Sequence, residues 1–135
     1  METSFNVSAI AASAICSLIL GILWFKMFFK NAYVKDLGRT KEQMEKGPSL
    51  SIAAGFQLMG NLLLAFVLSW LIQQLGYTSL PQTLQLALLI WVGFVVAIIG
   101  PFYAFQAFPF RLFLIIAGAV LSFILITTVI LTLWK

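Results

Sequence analysis

The groups able to do chemistry are few in this chain. Its 135 residues contain no His, one Cys and only 4 Asp or Glu. A Ser or Thr nucleophile needs a base beside it, and the hydroxyls here have neither His nor Asp as a partner. A metal centre needs a cluster of His, Cys or carboxylates. The acids Glu2, Asp36, Glu42 and Glu45 all lie outside the apolar stretches. The chain is therefore not expected to be an enzyme, and neither metal nor cofactor is expected.

What remains is a short set of polar groups. Gln57 and Asn61 are one helical turn apart, with Ala54, Ala65 and Ser69 on roughly the same side. Amides within an apolar segment must find partners, because lipid offers none. Two uses are open: hydrogen bonds that fix the register of packed helices, or a polar pocket for a headgroup or small solute. Further on, Pro101 after Gly100 removes a helical hydrogen bond, frees the carbonyl of Ala97 and predicts a kink. That kink is either an adjustment of shape or one wall of a cavity lined by Tyr103 and Gln106, with Arg111 at its mouth. Gln57, Asn61, Tyr103, Gln106 and Arg111 are thus the candidate residues for a polar cavity or a lipid-headgroup site.

The elements that must position these groups follow from composition. Hydrophobic residues make up 62% of the chain and charged residues 9%, where soluble domains carry about 25% charged residues. So little charge cannot cover a small soluble fold. This excludes a soluble enzyme, a disordered chain and a disulfide scaffold, and it leaves an integral membrane protein. Four apolar stretches, at about 6–28, 50–72, 83–106 and 112–134, are long enough to cross roughly 30 Å of hydrocarbon as helices. They are too long for barrel strands and do not alternate. The predicted fold is all-α: one transmembrane domain over 1–135, a four-helix bundle with antiparallel neighbours in contact, and a loop at 29–49. Pro109 is expected to stop the third helix.

Six of the 8 Lys and Arg residues lie between Lys26 and Lys46. A basic segment beside a span is a topology signal and suits anionic headgroups, so no nucleic-acid partner is expected. Placing this loop and Arg111 inside puts both termini on the non-cytoplasmic side of a cell membrane. Trp24 and Tyr33 then flank the inner edge, and Trp70, Tyr77 and Trp134 the outer one. No basic residue precedes the first run, and Ile15 precedes Cys16, so a retained first span is expected rather than a cleaved signal or lipoprotein segment. Cys16 is expected to be a small buried hydrophobe.

The first loop carries a helical pattern of its own. Phe29, Tyr33 and Leu37 share one face, and Gly38 is placed like a C-cap. The first helix is therefore predicted to continue to about Leu37 as a short amphipathic helix, its apolar face among the headgroups. Thr40 followed by Gln43 reads as a capping box for a second short helix, ended at Gly47-Pro48. Small residues at four-residue steps mark packing faces: Ala9, Ser13, Ser17 and Gly21 on the first span, Gly118 and Ser122 on the fourth, and Gly93, Ala97 and Pro101 on the third. Their partner is another helix of the bundle or another copy.

Two segments together resemble the uncharacterised DUF1761 family of small membrane proteins. Gly21-Ile-Leu-Trp24-Phe25, continued by Phe28-Phe29-Lys30, Tyr33, Lys35 and Leu37-Gly38, is similar to that family's Gly-x-x-Trp-Tyr exit from the first span. Phe105-Gln106-Ala107-Phe108-Pro109-Phe110-Arg111-Leu112-Phe113, followed by Ala117-Gly118, is similar to its Phe-Glu-Gly-x-Pro-Trp-x-Leu-Phe entry into the last helix. Gln106 stands where a Glu is common, and Ile116 where an Asn is common. The resemblance implies four spans and no assigned activity. The expected function is that of a non-enzymatic membrane protein acting through helix packing, lipid contact or homo-oligomerisation. The alternative is a small permease or channel with a polar path near Gln57, Asn61, Tyr103 and Gln106.

Overall fold

Long apolar runs must satisfy their backbone groups internally, and helices do this within a single segment. The computed structural model describes residues 5–38, 42–43, 46–47 and 49–134, and among them it contains helices and no strands. Four of the helical stretches are long and apolar enough to cross a membrane: Val7–Phe28, Ser51–Leu75, Leu80–Phe105 and Phe110–Leu133.

The first span opens as α1 (Val7–Leu23), where the Asn6 side chain caps the helix by accepting from the Ala9 N–H at 3.0 Å. It ends in a wider π-helical turn, Trp24–Phe28, closed by the Phe29 N–H donating to the Trp24 carbonyl at 2.9 Å. Phe29, at φ −120° and ψ 19°, breaks the helix before α2 (Lys30–Leu37). The short helix predicted in the first loop is thus present, but as a separate element set off at Phe29. It stops at Gly38, whose φ of 68° is a left-handed conformation that glycine adopts without steric cost. The capping box at Thr40 and the stop at Pro48 lie outside the described residues.

The second span is α3 (Leu50–Leu75), capped by the Ser49 hydroxyl and ended by Gly76 at φ 69°. The third consists of α4 (Leu80–Ile90), a second π-helical turn (Trp91–Val96) and α5 (Ala97–Phe105). Pro109 does not end this helix, as had been expected. The chain leaves the helix after Phe105 and turns through Ala107 at φ 57°. Pro109 instead sets the start of the fourth span, α6 (Phe110–Leu133).

The first, second and fourth spans pack on one another, and the third packs on the fourth. The turn between Gly76 and Ser79 places the second and third spans next to each other in sequence, yet they share almost no packing. In that pair the expected contact between antiparallel neighbours is therefore missing. At the end bearing both termini, the Asn6 amide donates to the Trp134 carbonyl at 3.0 Å, and the Thr83 and Thr132 hydroxyls stand 2.8 Å apart. At the opposite end, α2 lies against the fourth span.

Candidate functional site

Small residues on α1 allow close approach, and the second span uses that space. Ala9, Ser13, Ser17 and Gly21 are all buried. The Gln57 amide occupies the position a Cβ on Gly21 would take. From there Gln57 Nε2 donates to the Ser17 carbonyl at 3.4 Å, a long bond, and one turn on Asn61 Nδ2 donates to the Ala14 carbonyl at 3.2 Å. Asn61 is almost fully buried. Both amides thus donate to backbone carbonyls of the first span.

Two tryptophans treat the fourth span in the same way. Trp24 Nε1 donates to the Ile115 carbonyl at 3.0 Å, and Trp91 Nε1 to the Ala117 carbonyl at 2.8 Å. Each tryptophan is the first residue of a π-helical turn. Gly118 makes room for one of them, since a Cβ there would stand 3.3 Å from the Trp24 ring. Ser122 turns its hydroxyl back to the Gly118 carbonyl at 2.9 Å. Nothing in the sequence reading marked these indoles as interhelical donors. The available signal was a tryptophan inside an apolar span, which could have been read as a polar N–H in need of an acceptor.

At the basic end the structure joins residues 75 apart in sequence. Arg111 Nε and Nη2 each donate to one oxygen of Asp36, both at 2.7 Å. This bidentate fork is the strongest form of arginine–carboxylate pairing. The Asp36 side chain is 6% exposed and that of Arg111 54%. The hydrogen bonds from Arg111 hold the Asp36 carboxyl below its ordinary range; burial works against them, and the charges of Arg111 and Lys35 add to them. Sequence reading placed both residues at this end but had no means of pairing them.

The five candidate polar residues do not converge on one site. Gln57 and Asn61 face the first span. Tyr103 stacks on Phe113 with ring centroids 5.0 Å apart, and Phe110 closes the cluster at 5.9 Å. Gln106 is exposed just past the end of α5, and Arg111 is engaged by Asp36. Gly100 is partly covered and Pro101 exposed within α5, which stays helical through both; the wider winding lies before them, at Trp91–Val96. Gly93, Ala97 and Pro101 are exposed, so among the described residues no helix covers that ladder. Cys16 is also exposed, contrary to expectation: α1 buries the ladder face through Ser13 and Ser17 and turns Cys16 away from it. Among the described residues no three His, Cys, Asp or Glu side chains stand close enough to hold a metal ion.

No curated protein and no solved structure matches the chain. Residues 8–132 match the family model described as "Protein of unknown function (DUF1761)". That match spans all four membrane-compatible helices and both segments that carry the resemblance, and the chain accordingly belongs to the DUF1761 family.

Proposed function

We propose that this chain is a non-enzymatic multi-pass protein of the cell membrane, with both termini on the non-cytoplasmic side. It acts through its helix surfaces, by packing, lipid contact or self-association. The observation that carries this reading is where the intramembrane polar groups point. Gln57, Asn61, Trp24 and Trp91 all donate to carbonyls of a neighbouring helix. Groups used in this way hold helices in register and leave little free for a solute. The basic first loop, with five of the chain's 8 Lys and Arg residues and Lys26 at its edge, supports the orientation.

A small permease or channel is the second reading, favoured by one observation. The Ser17 and Thr127 hydroxyls are buried without a hydrogen-bond partner among the described residues, and water admitted by an opening of the bundle would satisfy them. Cysteine placed at Gln57 or Asn61 separates the two readings. Under the packing reading these thiols stay unmodified by membrane-impermeant aqueous reagents from either side. Rapid modification of both would establish a water-filled path and remove the packing reading. A C-terminal reporter active only in the cytoplasm is expected to be silent, and activity there would reverse the orientation.

A further inference from the structure

We propose that α2 is a platform for anionic phospholipid headgroups, and that the Asp36–Arg111 pair makes it one by turning the only acid of the helix inward. This deepens the lipid-contact reading above and rests on it.

The helix reads Lys30-Asn-Ala-Tyr-Val-Lys-Asp-Leu37. Residues four apart share a face. Asn31 and Lys35 are four apart and both exposed. Ala32 and Asp36 are also four apart; Ala32 is half-buried and the Asp36 side chain is only 6% exposed. The pair with Arg111 therefore fixes the rotation of the helix about its own axis. With Asp36 directed at the fourth span, Lys35 is directed away from it, and no carboxylate of α2 lies on the outward face.

The preceding turn is exposed as well. Lys26 is exposed, and beside it Met27 and Phe28 are 68% and 62% exposed. Basic side chains next to uncovered apolar ones match a surface at the boundary between headgroups and acyl chains, where cations meet phosphates and apolar groups enter the hydrocarbon. The occupant this chemistry selects is the headgroup layer of a bilayer rich in anionic lipid.

The test exploits a conflict of sign. Asp36→Asn adds one positive charge to the chain. If net charge alone draws anionic lipid, this variant binds it more strongly than wild type. If the pair orients the platform, the variant binds it less. The full-length chain is reconstituted with equal amounts of phosphatidylglycerol and phosphatidylcholine, and the lipids retained are counted by native mass spectrometry. Wild type is expected to retain phosphatidylglycerol preferentially. Lys35→Gln, an exposed substitution that leaves packing intact, should reduce that preference about fivefold, the value of one basic residue at the surface. Asp36→Asn should reduce it as well, and Asp36→Glu, which keeps the carboxylate, should preserve it. Unchanged or stronger preference in Asp36→Asn, or no effect of Lys35→Gln, would overturn the proposal. Equal retention of both lipids by wild type would sink this inference alone. Retention of neither would sink the lipid-contact reading beneath it.

Discussion

The first and third spans flank the fourth and cross the bundle in the same direction, and each carries a π-helical turn. In both, that turn begins at a tryptophan whose indole N–H is donated to a carbonyl of the fourth span. In both, small residues recur at four-residue steps. Yet about a third of the most apolar stretch of the first span is buried, 33%, against 6% for the third. The ladder of the first span is covered by the second; that of the third faces outward. Small residues at helical spacing therefore give the capacity for close approach. Whether a helix arrives is decided by the rest of the chain.

The largest expected effect tests this contrast directly. Gly21→Leu drives a side chain into the space of Gln57 and should cost about 3 kcal/mol, measured by reversible unfolding in detergent micelles. The matching change on the third span, Gly93→Leu, should stay within about 0.5 kcal/mol, as an exposed position does. An equal loss at both would mean that a second molecule covers the third span.

Asn61→Ala removes a buried amide between the first two spans and should cost about 1–2 kcal/mol in the same assay. Among the described residues no amide of the third span bonds a neighbouring helix, and its side-chain links to the fourth are Trp91 and the Thr83–Thr132 hydroxyl pair. Trp91→Phe keeps a ring and loses one donor, an expected loss of about 1 kcal/mol. Trp24→Phe should cost at least as much, because it also leaves space over Gly118. A much smaller loss in either variant would show that the two indoles are packed but not bonded.

The smallest expected effect concerns pH. The folded chain holds the Asp36 carboxyl below its ordinary value, so at low pH the folded state binds fewer protons than the unfolded one. The contribution of the pair is then complete above the unfolded value of about 3.9 and is lost as pH falls through the lower folded value. Amide exchange of α2, corrected for intrinsic rates, should be the same at pH 7 and pH 5 and should speed up only below about pH 4. Faster exchange already at pH 5 would mean that the pair does not hold α2 in place.

Much of the fold was legible in the sequence because it depends on composition and local rules. The scarcity of charge required a membrane-compatible chain, run length set four helices, and Gly38 and Gly76 ended two of them where a left-handed residue was needed. The stop at Pro109 was misplaced, because the chain turned earlier through Ala107, a residue with no preference for that conformation. The candidate polar residues were singled out as groups needing partners, but which partners they take was not legible. Gln57 and Asn61 found carbonyls of the first span, and Arg111 found Asp36, a carboxylate read only as part of a basic loop.

The sequence by itself determined that the chain is a set of apolar helices with its basic residues gathered mainly at one end, and it carried the family motifs at Gly21–Gly38 and Phe105–Gly118. Only the tertiary structure decided which faces are covered: Ser17 inward and Cys16 outward, the third span packed on the fourth and hardly on the second, Asp36 turned to Arg111. The physical reason is the solvent these helices are built for. In water an apolar stripe tells the inner face of a helix from the outer one. In lipid both faces are apolar, association depends on shape and on a few hydrogen bonds between helices, and the small-residue spacing that permits close approach recurs on the covered first span and the uncovered third alike.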